Sequence, residues 1–352
     1  MDSNELHPAF KLNGEAYTNK SLLEKAQTLV DKSNDFEAEI GRFLISWLNE
    51  DASVKVQTSG STGEPKTILL KKKAMKASAL ATASYFNLQA KQTALLCLPV
   101  SYIAGKMMLV RAMVSGLHID TVIPKIDLDI SSKHYDFVAM IPSQVEKNLD
   151  VLPQFSTLIV GGGIVSHSLK NKLQDLKTAV FETYGMTETI THIAVKPINN
   201  SPNKPYFKTL PTIQISQDER NCLVIDAPEL SAEPIITNDV VNLYSETEFE
   251  WLGRADHVIN SGGLKLIPEN IEAKLEPYLD CRFFIASQKN ETYGEEVILI
   301  LESENLEVED FIFKDLNKAE YPKQVYGIPN FVETASGKIQ RKKTLDLIFK
   351  QF

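Results

Sequence analysis

Hydrophobic and polar positions along this chain follow two rhythms. Up to about residue 190, short apolar runs rich in β-branched residues recur at 54–58, 67–70, 94–98, 119–123, 137–141, 157–160 and 179–183, and their composition predicts strands. Between several of them, stretches with apolar residues at helical spacing predict helices over 74–86, 105–115 and 168–176, the second stopped by Gly116. Two more helices precede the first strand. One is announced by Ser21 and Glu24 as a capping box, with Leu22, Leu23, Ala26, Leu29 and Val30 on one face, and the other covers 36–48. Strand–helix alternation of this kind predicts an α/β fold with mostly parallel, helix-covered sheets. Ligands of such sheets sit at the carboxyl ends of strands, where the glycine-rich turns fall.

After about residue 195 the rhythm changes. Polar, proline-containing segments at 199–205 and 227–234 lead into shorter strands. From Gly253 onward the pattern predicts a compact α+β unit, with helices over 268–275 and 308–318 and strands over 283–286 and 297–301. The expected division is a large N-terminal domain over 1–253 and a small C-terminal domain over 254–352.

The 352 residues are 43% apolar and 24% charged, enough to bury a substantial core. A net charge of −9 argues against a general nucleic-acid or membrane-surface role, yet leaves room for anionic small ligands held by backbone N–H groups and one or two cations. The three cysteines, Cys97, Cys222 and Cys281, are scattered, so neither a disulfide framework nor a zinc site follows, and a reducing cytoplasm is expected. The first residues carry no charged-then-apolar signal pattern, and the longest apolar stretch, around 107–117, is broken by Arg111. No membrane partner is expected.

The segment TSGSTGEPK at 58–66 lies between two predicted strands, and six of its nine residues are Thr, Ser or Gly. Glycines let backbone N–H groups converge on an anion, hydroxyls add donors and Lys66 adds charge, which is chemistry for a polyphosphate. It is not a Walker A loop, because Pro65 stands where the second glycine is needed. Composition alone fits an ordinary Gly/Ser turn with a solvated lysine slightly better. Its company changes that balance: VGGGI at 160–164, YGMTET at 184–189, GRADHVINSGGLKLIPENIE at 253–272 and ASGKIQRK at 335–342 follow in fixed order. Together these segments resemble the adenylate-forming superfamily of acyl-CoA synthetases, peptide-synthetase adenylation domains and luciferases, over about residues 54–343.

The resemblance implies ATP and Mg²⁺ as partners, coenzyme A as co-substrate, and a role for each matching residue. Thr58, Ser59, Gly60, Ser61, Thr62, Gly63 and Lys66 would hold the β- and γ-phosphates. Gly161, Gly162 and Gly163 would lie against the adenine, with Tyr184 stacked on it and Gly185 beside it. Thr187 would bind the α-phosphate and Glu188 the Mg²⁺, as a hard oxygen ligand. Asp239 and Arg254 would grip the ribose hydroxyls. Lys338 would be the catalytic cation that steadies charge as a carboxylate attacks the α-phosphorus. Asp256 falls at the hinge about which the small, mobile C-terminal domain swings, and Ser261, Gly262 and Gly263 would line the pantetheine tunnel.

The chain departs from the pattern in its short N-terminus and in a compressed stretch at 210–250, which makes a long fatty acid a poor fit. Tyr102 stands where relatives commonly place a histidine gate. Arg111 is a lone guanidinium in an otherwise apolar helix that begins near Gly105, and burying it is costly unless something anionic meets it. An internal acid or an outward-reaching side chain would explain it equally well. However, LPVSYIAGKMMLVR at 98–111 is similar to the corresponding stretch of the o-succinylbenzoate–CoA ligases of menaquinone synthesis. Their substrate has two carboxylates, and the one not activated needs a cation. The expected activity is therefore ATP-dependent ligation of 2-succinylbenzoate to CoA, with Tyr102, Gly105 and Arg111 at the acid. The alternatives are a CoA ligase for another small aryl acid and an adenylation enzyme that loads a carrier protein. A degenerate binding protein would be expected to lack Lys338 or Glu188, and both are present.

Overall fold

The fold was obtained as a computed structural model, which describes residues 5–32, 34–57, 67–130, 132–200, 206–304, 306, 308–334 and 339–350. Two sheets dominate the described residues, one of 13 strands and one of five. In the large sheet the strands Ala179–Gly185, Phe155–Val160, Tyr135–Met140, Thr93–Leu96, His118–Thr121 and Lys11–Leu12 lie side by side and all pair in parallel. Their apolar runs are unbroken because both faces are covered, as in parallel sheets generally. Ala94 and Leu96 face one cluster with the helices Asn19–Lys32, Asp35–Leu48, Lys72–Tyr85 and Ile103–Ser115. Leu95 and Cys97, one residue out of phase, face a second cluster with Val145, Leu169 and Leu173.

Beyond Ala179–Gly185 the same sheet continues antiparallel through His192–Pro197, Phe207–Thr209, Glu248–Arg254, Ile235–Ser245, Cys222–Asp226 and Gln214–Gln217. The parallel arrangement expected from strand–helix alternation thus stops where the alternation stops. The smaller sheet pairs Leu264–Leu266, Ile259–Ser261, Gly294–Leu301 and Phe283–Asn290 antiparallel, with Gln324–Gly327 parallel to Gly294–Leu301. The helices Pro268–Leu275 and Arg341–Phe349 accompany it. The buried residues of its two clusters all come from Ile259 or later.

Three local expectations are corrected. The first helix is capped one turn earlier than Ser21: the Ser21 N–H donates to Thr18 Oγ1 at 3.2 Å and the Thr18 N–H to Ser21 Oγ at 3.0 Å, a reciprocal box in which Ser21 is the third helical residue. The strands Ser53–Gln57 and Thr67–Lys71 form a separate two-stranded antiparallel sheet instead of joining the large one. The helix expected over 308–318 is only a 3₁₀ turn, Asp310–Phe313. There the N–H groups of Lys314 and Leu316 bond three residues back, a tighter winding that puts the adjacent Ile312 and Phe313 into the core together.

Candidate functional site

The glycines after Phe155–Val160 lie at the carboxyl end of a parallel strand. Gly162 has φ +82°, a left-handed conformation open to glycine at no steric cost. One strand over, Ala179–Gly185 carries Tyr184 near its end. Gly185 packs so closely on the returning chain that a Cβ there would come 2.4 Å from the Thr191 carbonyl oxygen. That contact closes a tight loop holding Thr187, half-buried, and Glu188, exposed. Within the loop the buried Thr189 hydroxyl accepts from the Met186 N–H at 3.0 Å and lies 2.8 Å from the Thr191 carbonyl, so it braces both ends.

Asp239 and Arg254 are register partners on the antiparallel strands Ile235–Ser245 and Glu248–Arg254. The buried Asp239 carboxylate accepts from Tyr184 Oη at 2.5 Å and from Trp251 Nε1 at 3.2 Å, and Arg254 Nη1 lies 3.7 Å from it. Burial, and then Asp239, push the Tyr184 hydroxyl well above its ordinary value, so it remains a neutral donor. Its ring packs edge-on against Phe249 at 5.1 Å. Trp251 belongs to no motif in the sequence; only its strand pairing, opposite Val241, brings it here.

Arg254 is also gripped by Asp256, at 2.9 and 3.1 Å. Burial alone would raise the Asp256 pKa, but the hydrogen bond and charge of Arg254 bring it below the usual carboxylate range. Asp256 itself is exposed, in the 3₁₀ turn Ala255–His257. From that turn the chain runs into the small sheet. Ser261, Gly262 and Gly263 sit at the hairpin between Ile259–Ser261 and Leu264–Leu266, where the Gly262 N–H donates to the Tyr293 carbonyl at 2.9 Å.

The acid-binding candidates lie on the helix Ile103–Ser115 and the loop before it. Tyr102 is its N-cap residue and is exposed, and Gly105 is buried in its first turn. Lys106 turns back, its Nζ 2.5 Å from the Val100 carbonyl and 2.7 Å from that of Ser101, so it serves the loop. Arg111 is different: it is only 2% exposed, and its guanidinium touches Met108 Sδ at 3.7 Å, Thr191 Oγ1 at 3.5 Å and His192 Nδ1 at 3.4 Å. Its Nε–H has no partner, and no carboxylate among the described residues offsets its charge. Burial pushes the Arg111 pKa down to about 9, and it stays a cation at neutral pH. Thr191 and His192 are not legible as site residues in the sequence, because they follow YGMTET in what reads as plain strand sequence.

Thr58, Ser59, Gly60, Ser61, Thr62, Gly63 and Lys66 fall outside the described residues, as does Lys338. Their flanks are described: the segment 58–66 connects the strands Ser53–Gln57 and Thr67–Lys71, and Lys338 precedes the helix Arg341–Phe349. Arg341 on that helix pairs with Glu272 at 2.8 Å and approaches Glu269 at 3.7 Å, and Glu269 in turn meets His257 at 2.5 Å.

The chain is 24% identical to a 2-succinylbenzoate–CoA ligase of Listeria monocytogenes, over 92% of this chain and 76% of that one. It is 23% identical to the enzyme of that name from Haemophilus influenzae, over 84% and 70%. Among solved structures, an acyl-CoA synthetase (AMP-forming)/AMP-acid ligase II-like protein from Dyadobacter fermentans is 30% identical, with a TM-score of 0.63 and coverage of 92% and 97%. The fold is also that of o-succinylbenzoate coenzyme A synthetase from Bacillus subtilis, solved with ATP and magnesium, at 17% identity, a TM-score of 0.72 and coverage of 94% and 82%. The family model for AMP-binding enzymes matches residues 18–231, well over half of the sequence, and the chain belongs to that family.

Proposed function

We propose that this enzyme is an ATP-dependent acid–CoA ligase that converts 2-succinylbenzoate, ATP and CoA to 2-succinylbenzoyl-CoA, AMP and pyrophosphate through an acyl-adenylate. The observation that carries the choice of acid is Arg111: a buried cation with a free N–H and no internal counter-charge among the described residues. A substrate with a second carboxylate supplies what the site lacks, and a guanidinium takes a carboxylate at two points. The names of the curated relatives support the same acid.

In this proposal the carboxylate to be activated attacks the α-phosphorus and pyrophosphate leaves. Thr187 holds the α-phosphate, Lys338 steadies the charge that builds there, and the residues Thr58, Ser59, Ser61, Thr62 and Lys66 hold the leaving phosphates. Tyr184, Asp239 and Arg254 serve the nucleoside. The donor set suits magnesium: Glu188 offers one exposed hard oxygen, and a nucleotide-bound Mg²⁺ needs little more, since phosphates and water complete its shell. In the second half-reaction the CoA thiol attacks the acyl carbon and AMP leaves. Residues 254–352 would move as a unit about Asp256 between the two steps, bringing Ser261, Gly262 and Gly263 to the thiol, because one cleft cannot hold Lys338 and a pantetheine arm together. A cytoplasmic site of action follows from the CoA chemistry; no helix among the described residues is long and apolar enough to cross a membrane.

Pyrophosphate release measured on a panel of aryl mono- and dicarboxylic acids, with and without CoA, tests the proposal. Turnover should be greatest with 2-succinylbenzoate and require CoA to continue past one equivalent. Sustained turnover only with a carrier protein, or equal rates on benzoate and 2-succinylbenzoate, would count against it.

A further inference from the structure

The partners of Arg111 form a chain of hydrogen bonds with a fixed direction. His192, 5% exposed, lies between two elements: its Nδ1 is 3.4 Å from Arg111 Nη2 and its Nε2 is 3.4 Å from Thr82 Oγ1 on the helix Lys72–Tyr85. A guanidinium has only donors, so Nδ1 must accept and the imidazole proton must sit on Nε2. Thr82 Oγ1 can receive that proton's hydrogen bond because its own hydroxyl is directed to the Ser78 carbonyl at 3.0 Å. The order is therefore Arg111 to His192 to Thr82 to a helix carbonyl. An imidazolium would place a second buried cation against Arg111 and would have no acceptor to offer it.

The contacts to Arg111 are all long, 3.4–3.7 Å, and the Nε–H has none, so the guanidinium is under-satisfied as it stands. Lys106, the other cation of the helix, is occupied by two loop carbonyls and does not compete. We propose that His192 is a specificity-determining positioning residue: by accepting from one edge of Arg111 as a neutral imidazole, it turns the guanidinium and leaves its remaining N–H groups for the non-reacting carboxylate of a dicarboxylic acid. This rests on Arg111 being the group that meets that carboxylate. Thr82 acts one step further back, by fixing which imidazole nitrogen carries the proton.

The test compares 2-succinylbenzoate with 4-oxo-4-phenylbutanoate, the same acid without its ring carboxylate, in the wild type, His192→Leu, His192→Asn and Arg111→Leu. In His192→Leu the preference for the dicarboxylic acid, as a ratio of kcat/KM values, should fall at least about tenfold, the scale of one hydrogen bond to a charged group. The loss should appear in KM for 2-succinylbenzoate, with the monocarboxylic acid almost unaffected. His192→Asn, whose Oδ1 sits one bond from Cγ as Nδ1 does and can accept from Arg111 there, should restore most of the preference. Nitrogen-15 NMR of the wild-type imidazole, assigned by its absence from His192→Asn, should show a neutral ring protonated on Nε2; this measurement stands even if the leucine variant does not fold.

A preference kept in His192→Leu but lost in Arg111→Leu would overturn the role of His192 and leave that of Arg111 intact. Equal loss on both acids, an asparagine variant no better than leucine, or a ring protonated on Nδ1 would also overturn it. A preference retained in Arg111→Leu would bring down both assignments.

Discussion

Arg111→Leu should make the ligand-free protein more stable and its choice of acid worse. The drop in the arginine pKa from its ordinary value to about 9 corresponds, at about 1.4 kcal/mol per tenfold, to about 5 kcal/mol carried by the folded, charged form at neutral pH. The sign follows from the direction: a cation with a depressed folded pKa costs stability in full below about pH 9, and the cost eases only as pH rises from there toward the ordinary arginine value. Leucine removes that cost but takes the guanidinium away from His192 Nδ1 and the Thr191 hydroxyl, which keep only their long contact with each other at 3.5 Å, a loss of about 1–3 kcal/mol. The balance is a gain of about 2 kcal/mol or more, or about 3 °C in Tm for a chain of this size. Binding moves the other way: losing the buried partner of a carboxylate costs about 2–5 kcal/mol, a rise of about thirtyfold or more in KM for 2-succinylbenzoate. Calorimetry with and without that acid reads both effects, since the wild type should gain Tm on binding and the variant should not. A variant that melts earlier than the wild type and loses activity on mono- and dicarboxylic acids alike would show that the arginine is structural and refute this reasoning.

Lys338→Ala should slow adenylate formation by about a hundredfold or more while sparing thioester formation from supplied acyl-adenylate, as rapid-quench measurement of each half-reaction would show. Asp256→Pro should spare adenylation and impair thioester formation by restricting one φ; Asp256→Ala, which loses only the carboxylate on Arg254, separates that backbone effect from the broken ion pair. Burial alone would raise the Glu269 pKa, but His257 and Arg341 outweigh it and hold it below its ordinary value, so its contribution to stability is present above about pH 4.5 and is lost as pH falls through the depressed value. Glu269→Gln should therefore cost about 1–3 kcal/mol at pH 7 by denaturant unfolding, with the gap to wild type narrowing in acid.

The parallel half of the large sheet is legible in the sequence because its strands are buried on both faces and read as unbroken apolar runs. The antiparallel half is not: the strand Ile235–Ser245 mixes exposed and buried positions and its pairings slip register, so its periodicity is weak. The 3₁₀ turn Asp310–Phe313 escapes notice because spacing alone does not separate i+3 from i+4 winding. At the site, Arg111 stands out as one charge in an apolar helix. Asp239 and Arg254 are found through their motifs although they lie far apart in sequence; strand pairing is what brings them face to face. His192 is invisible for the opposite reason. In a strand of apolar neighbours a histidine looks like ordinary core, and its facing depends on the register shift between His192 and Ala194.

The central claim, activation of a carboxylate as its adenylate, is tested most directly by following oxygen. With 2-succinylbenzoate labelled with ¹⁸O in the carboxylate to be activated, attack on the α-phosphorus leaves one carboxylate oxygen bonded to phosphorus, and thiol attack on the acyl carbon releases it in AMP. Mass spectrometry should find one ¹⁸O in each AMP formed and none in pyrophosphate. Unlabelled AMP, or label in a phosphate released with ADP, would contradict the account.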